Sequence, residues 1–263
     1  MKISIVTATY NSDRTLKDTM RSVLYQTYPN IEYIVVDGAS KDGTVGIIKE
    51  FEPQFHGRMR YVSEPDKGIY DAMNKGIGLA TGDILGILNS DDLLYDEHII
   101  ADIVHTFKEY QVDCVYGDLV FVKANDINSV VRSWIGSQYH KKDFFKGWAP
   151  AHPTFYVKRE CYEKYGNYDI SMKVSADFDL MMRFIAKNKI RNKYMRRNFV
   201  KMRYGGESTG SIKNIYRGNK TIQKAFKKNG IKMSKFYFVR RLAPKFWNIM
   251  RNRITPKSAL IYE

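Results

Sequence analysis

Two adjacent carboxylates, Asp91 and Asp92, close the stretch ILGILNSDD, where an apolar run stops abruptly at polar residues. Side by side behind a buried strand, they cannot both stay charged without compensation. A hard divalent cation, Mg2+ or Mn2+, removes that conflict and takes a diphosphate among its remaining ligands. Such a cation stabilises a departing nucleoside diphosphate as a Lewis acid. The plainer reading makes Asp92 a helix cap and leaves Asp91 in water.

Three further places carry groups able to do chemistry. Asp37, at the end of the apolar run YIVVD, can accept hydrogen bonds from a base edge or a ribose hydroxyl, or can simply make a turn with Gly38. Asp177 and Asp179 stand two apart in SADFDL, so on a helix they point in different directions and one is expected to face a cleft. A carboxylate there can take the proton of an acceptor hydroxyl, typically worth about 10²–10⁴-fold in rate; equally, it can be negative charge favoured at a helix start. His152, just before Pro153, suits a metal or an acceptor phosphate, or a hydrogen-bonded structural role. Gly205-Gly206-Glu207-Ser208 reads as a flap over phosphates or as a linker.

The elements that must position these residues follow a simple rhythm at first. Short β-branched or apolar runs at 3–7, 33–36, 59–62 and 84–88 alternate with helix-like patterns. Ser12 or Asp13 is expected to cap the first helix, which carries Leu16, Met20, Val23 and Leu24 on one face, and Asp42 to cap the second. The third helix runs from about Ile69 to Ala80. This alternation predicts a parallel sheet with helices on both faces. Ligands of such sheets bind beyond the carboxyl ends of the strands, where this chain places TATYN, Asp37, SEPDKG and NSDD. After Asp92 the rhythm loosens. A helix over 96–110 is followed by strand-like residues at 112–116, 119–122 and 130–134, the last two forming a hairpin around Asn125-Asp126. A strand over 152–157 and helices over 158–165 and 175–187 complete the reading.

Absent motifs narrow the chemistry. No G-x-G-x-x-G follows the first strand and no G-x-x-x-x-G-K-[ST] occurs, so metal and side chains must hold any phosphates. The chain of 263 residues carries a formal charge of +15, and 14 of its 43 Lys and Arg but only two of its 28 acids lie beyond residue 206. A basic tail of this kind calls for an anionic partner surface, nucleic acid or anionic lipid. Cys114 and Cys161 form no C-x-x-C pair and are expected to be free thiols. The first residues lack a signal-peptide pattern and no apolar run is long enough to span a bilayer, so a cytoplasmic location is expected.

Taken together, the stretches ISIVTATYN, IVVDGASKDGT, SEPDKGIYDAMNKGIGLATGD, LNSDD and SADFDL resemble the bacterial family 2 glycosyltransferases, especially the O-antigen and colanic-acid biosynthesis branch. The resemblance covers about residues 1–205. It implies a GT-A (Rossmann-like), mixed, mostly parallel α/β sheet flanked by helices, with residues 206–263 as a basic helical C-terminal extension. It implies that Thr7, Thr9 and Tyr10 line a nucleotide pocket, that Asp37 meets the base, usually uracil, and that Asp66 and Asn74 border the donor site. By the same resemblance Asp91 touches the ribose or sugar, Asp92 the metal, and Asp177 is the catalytic base. The family often has Glu before that Asp, where this chain has Ala176.

The implied reaction is a single displacement. Asp177 deprotonates an acceptor hydroxyl, the oxygen attacks the anomeric carbon opposite the diphosphate, and the configuration inverts. Family members commonly use polyprenyl-diphosphate-linked acceptors, so Phe236, Phe238, Leu242, Phe246, Trp247 and Met250 among the tail's cations fit a helix on the cytosolic face of an anionic membrane. The alternative packs those aromatics on the catalytic domain. Two other functions compete. A noncatalytic nucleic-acid binder suits the tail but not the acidic rim, so no nucleic-acid partner is expected. A sugar nucleotidyltransferase would want a Gly-rich basic loop after the first strand, and residues 7–13 have neither feature.

Overall fold

The computed structural model describes residues 1–205, 212–234 and 237. The chain opens with β1 (Ile3–Thr9), α1 (Leu16–Leu24), β2 (Ile31–Asp37), α2 (Thr44–Phe51), β3 (Met59–Ser63), α3 (Ile69–Leu79) and β4 (Ile84–Ile87). Strands β3, β2, β1 and β4 lie side by side and parallel. Each strand sends alternate residues to opposite faces. Val6, Ala8, Ile34 and Val36 meet α3, whereas Ile3, Ile5, Ile31, Tyr33 and Val35 meet α1 and α2. The approach of α3 to the sheet is close enough to need Gly76, where a Cβ would fall 2.2 Å from Val6 Cγ1.

The second half is built differently. It runs through β5 (Asp92–Leu94), α4 (Ile99–Tyr110), β6 (Cys114–Lys123), β7 (Asp126–Trp134), β8 (Tyr156–Lys158), α5 (Arg159–Tyr165), α6 (Ala176–Met181), β9 (Asn192–Arg203) and α7 (Ile212–Lys228). Among the described residues the strands form one sheet in the order β3-β2-β1-β4-β8-β6-β9-β5. Here β8 is antiparallel to both neighbours, β9 is parallel to β6, and β5 is antiparallel to β9. The hairpin partner β7 pairs with the second half of β6. Helices α3, α5, α6 and α7 share one core, and α1, α2 and α4 the other.

Several expectations shift. Thr15, not Ser12 or Asp13, is the N-cap of α1; the carbonyl of Ser12 instead accepts the amides of Thr15 and Leu16. The strand expected over 152–157 is a 3₁₀ turn at His152–Thr154 followed by β8, because Pro153 has no amide to give a ladder. The helix expected over 175–187 is α6 continued by a π-helical turn over Met182–Lys187. Strands β5 and β9 were not anticipated. The five cations of β9 hide its pattern, yet most find partners at the sheet's margin. Arg197 bonds Asp96, Lys193 lies 3.8 Å from the centre of the Tyr110 ring, and Arg203 bonds Asp18. Residues 206–211 and most of the tail, including Phe236, Phe238, Leu242, Phe246, Trp247 and Met250, lie outside the described residues.

Helix α7, however, is packed into the same core as the sheet: Ile222, Ala225 and Phe226 are buried there together with Tyr237. Among the described residues, no helix is long and apolar enough to cross a membrane. Cys114 and Cys161 are both buried and free, and burial raises the pKa of both thiols.

Candidate active site

Strand register delivers the first part of the site. Thr9, Asp37 and Ser63 are direct neighbours across β1, β2 and β3, so three polar residues end the strands in one row. Asp37 is fully buried. Its Oδ2 accepts the Ser40 amide at 3.0 Å and the Ser63 hydroxyl at 2.7 Å, and its Oδ1 accepts the Ser40 hydroxyl. Thr9 keeps an enclosed Oγ1 with no hydrogen-bond partner, although buried hydroxyls are normally paired. Next to it the Tyr10 ring stands 59% exposed, a free aromatic face of the kind a nucleobase stacks on.

The loop after β3 folds back onto this row. A Cβ at Gly38 would lie 2.5 Å from Asp66 Oδ2 and 3.4 Å from Tyr10 Cδ2, so Asp66, Tyr10 and the turn after Asp37 meet at one spot that only glycine leaves open. Asp66 Oδ1 also accepts the amide of Gly68, the residue that starts α3.

The loop after β1 is tied in turn to the paired acids. Ser12 Oγ lies 3.2 Å from the carbonyl of Tyr10 and 3.0 Å from Ser90 Oγ. Asp92 is fully buried at the start of β5 and opposite Met202 of β9. Its Oδ2 accepts Asn89 Nδ2 at 2.8 Å, while Oδ1 is enclosed with no hydrogen-bond partner. Burial, and then the neighbouring Asp91 carboxylate, push the Asp92 carboxyl well above the usual range. Asp91 is half-buried, and its carbonyl accepts Arg203 Nη1 at 2.7 Å. Among the described residues, no three His, Cys, Asp or Glu side chains are grouped as a metal cage. The chemistry on hand is two adjacent carboxylates, one with an orphaned oxygen. That suits a small divalent ion, which takes one or two carboxylates and fills its shell with phosphate and water.

Asp177 reaches the same rim from the second half of the chain. Ser175, at φ +64°, turns the chain into α6, and Tyr70 at the start of α3 donates its hydroxyl to Asp177 Oδ1 at 3.3 Å. The expected divergence of the two acids of SADFDL is present. Asp179 is fully buried on the other side, where its Oδ1 accepts Asn229 Nδ2 at 2.7 Å.

Contacts and short chain segments thus gather Tyr10, Asp37 and Asp66 at the strand ends, tie the Asp91-Asp92 loop to the loop after β1 through Ser12 and Ser90, and set Asp177 against Tyr70, two residues after Gly68, along one rim. Two of the expected residues lie off it. Thr7 is fully buried and its hydroxyl accepts that of Tyr33 at 3.1 Å, so it supports the rim from beneath. Asn74 turns its amide to the backbone of Tyr168, donating at 2.9 Å and accepting at 3.0 Å. Ser40, Ser63 and Tyr70 were not anticipated. Ser40 and Ser63 follow strand ends, which was the one signal available for them. Tyr70, part of the GIYDAMN stretch, gave none on its own.

Residues 4–171 match the family described as Glycosyl transferase family 2. The chain belongs to that family. It is a glycosyltransferase. A PGL/p-HBAD biosynthesis glycosyltransferase of Mycobacterium bovis (strain BCG / Pasteur 1173P2) is 31% identical over 193 residues, 73% of each chain. An uncharacterized glycosyltransferase of Mycobacterium tuberculosis is 41% identical over 103 residues, 39% of this chain and 38% of that protein. In three dimensions the fold is GT-A. S. aureus TarS 1-349 in complex with UDP-GlcNAc superposes with a TM-score of 0.68 at 16% identity, over 92% of this chain and 73% of that one. The chain spans 46% of the longer TarS structure. A mannosyltransferase from Pyrobaculum calidifontis, in complex with GDP-Man and Mn2+, superposes with a TM-score of 0.64 at 20% identity, covering 94% and 69% of the two chains. For this family the chain's acid-rich rim stands where open sheets take their ligands.

Proposed function

We propose that this glycosyltransferase inverts configuration while moving a hexose from a nucleoside-diphosphate sugar, UDP-linked in the first instance, to a hydroxyl of a lipid-linked or saccharide acceptor in surface-polysaccharide synthesis. The observation that carries the reading is the acidic rim. The loop after the Thr9 and Asp37 row is tied through Ser12 and Ser90 to the Asp91-Asp92 pair, and Tyr70, at the start of the helix that follows the Asp66 loop, holds the half-buried carboxylate of Asp177. Similarity to proteins solved with UDP-GlcNAc and with GDP-Man supports a nucleotide-sugar donor.

Each part of the rim has a task. Tyr10 stacks on the base, and Asp37, held by Ser40 and Ser63, accepts from its edge. Asp66 borders the sugar, with Asn74 holding the adjoining loop. Asp92 would hold a divalent ion, which when bound would offset the charge on the departing diphosphate, while Asp91 touches the ribose or sugar. Asp177 takes the proton of the acceptor hydroxyl, leaving an oxygen able to attack the anomeric carbon from the face opposite the diphosphate. Lys220, Lys227 and Lys232 are exposed on or just after α7, and support contact of this side with an anionic membrane on its cytosolic face, where a polyprenyl-diphosphate acceptor would sit.

The test is a set of UDP-glucose, UDP-galactose, UDP-N-acetylglucosamine and GDP-mannose, each assayed for nucleoside diphosphate release with Mn2+ and with chelator. One donor should be turned over only with metal, and the product's anomeric proton should report inversion. Turnover of every donor failing, or retention of configuration, refutes the reading. Co-sedimentation with vesicles containing phosphatidylglycerol tests the membrane contact; a protein that stays in the supernatant removes it.

A further inference from the structure

A second line of side chains, behind the acidic rim, ends on Asp177. Asn74 and Tyr70 lie one turn apart on α3, on the same side of the helix. Asn74 clamps the backbone of Tyr168 with its two amide hydrogen bonds, 94 residues away in sequence. The Tyr168 ring stacks on that of Tyr70, centre to centre at 5.6 Å and 26° between planes. The Tyr168 hydroxyl lies 2.8 Å from His152 Nε2, and the two rings meet edge to face at 5.7 Å. Tyr168 is thereby fixed at both ends, backbone and hydroxyl, and its ring fixes the ring that carries the Tyr70 hydroxyl to Asp177 Oδ1.

We propose that Tyr70 is a positioning residue for the Asp177 carboxylate, and that Asn74 and His152 act on the reaction through Tyr168. The proposal rests on Asp177 being the base. A hydroxyl donated to one carboxylate oxygen fixes the group's orientation and leaves the other oxygen for the acceptor's proton. The ionisable groups around this pair are Tyr70 from α3, His152 from the 3₁₀ turn, Tyr162 from α5 and Tyr168 from the loop after it. Burial raises the three tyrosines and lowers His152, with Asp177 partly opposing it at the histidine, so all four stand neutral near neutral pH. The direct hydrogen bond to Asp177 is that of Tyr70; His152 and Tyr168 act on it through the Tyr70 ring.

Tyr70→Phe keeps the ring and its stacking but removes the donor. In the full chain it should lower kcat about tenfold and leave donor KM within about twofold, because the carboxylate is then no longer held in place. Tyr168→Phe, which frees the His152 contact, should give a smaller change of the same sign. Melting temperature tracks folding in both. A Tyr70→Phe protein with unchanged kcat overturns the proposal. Carbon-13 NMR reads the contact without turnover. The Asp177 carboxyl resonance, assigned by its loss in Asp177→Asn, should move in Tyr70→Phe while that of Asp179 stays put; an unmoved Asp177 resonance also overturns it. Wild-type turnover by Asp177→Asn would refute the base assignment alone, since the carboxyl resonance still reports whether Tyr70 holds that side chain.

Discussion

The two halves of the sheet supply the rim by different means. In the parallel half, strands β1, β2 and β3 end in register, and the residues that end them form the proposed donor row. Position in sequence and position in space coincide there, since each functional residue is the next one after an apolar run. In the mixed half no strand end carries the proposed base. Asp177 stands on the short helix α6, fixed by Tyr70 from α3 on one side and by the burial of Asp179 against Asn229, just past the end of α7, on the other. The parallel half places its chemistry by backbone geometry, the mixed half by side-chain contacts between distant segments.

Substitutions that separate the two mechanisms follow from this contrast. The largest effect is expected for Asp177→Asn, which should reduce transfer about 10²–10⁴-fold while donor affinity, set by the parallel half, changes less than about twofold. Steady-state kinetics beside donor titration calorimetry checks both numbers, and a comparable loss of donor affinity would erase the division. Next is Asn229→Leu, which leaves the buried Asp179 carboxylate short of a donor. It should lower stability by about 2–3 kcal/mol in urea denaturation and reduce kcat more than donor KM.

A third prediction concerns the far end of β2. Glu32 sits there, opposite the Asp37 end, and accepts from Ser4, Thr81, Lys2 and Arg60. Burial works against its charge, but hydrogen bonds from Ser4, Thr81 and Lys2 outweigh that and hold its carboxyl at about 2, against an ordinary 4.5. A carboxyl depressed by folding stabilises above its unfolded pKa, and that stability is lost as pH falls towards the folded one. The unfolding free energy from urea titrations should therefore fall between pH 4.5 and about 2, with about 2 kcal/mol of that loss from Glu32 after solvent screening of Lys2 and Arg60. Glu32→Gln should remove that share, leaving what Asp169 and other depressed carboxyls contribute, and leave kcat alone. The smallest change is Gly38→Ala, whose methyl displaces the Asp66 carboxylate; donor affinity should fall roughly fivefold, about 1 kcal/mol, with kcat nearly unchanged.

This contrast also explains what could be read from the chain before folding. Asp37, Asp66 and the Asp91-Asp92 pair were legible because alternating apolar runs locate strand ends, and strand ends locate ligands. Asp177 was legible as a candidate but not as a neighbour of Tyr70, since nothing local joins residues 107 apart. Asn74 illustrates the limit most clearly: the GIYDAMN stretch marks it as functional, yet only the fold reveals that its amide is spent on Tyr168. Strand β9 escaped because its cations disguise a buried ladder, and the partners that neutralise them, Asp18 and Asp96, come from far earlier in the chain.

One pairing bears on how the protein comes into being. Strand β5 begins at Asp92, and the described strand it bonds to is β9, where Asp92 faces Met202, some 110 residues further on. Closing so long a loop is slow and entropically costly. Synthesis proceeds from the amino end, so β1 to β4 leave the ribosome long before β9 exists. A nascent chain can therefore assemble the row at Thr9, Asp37 and Ser63 while the surroundings of Asp92 are still open. Protease digestion of ribosome-stalled chains should show the first four strands protected before Asp92, and simultaneous protection of both would exclude this order of assembly.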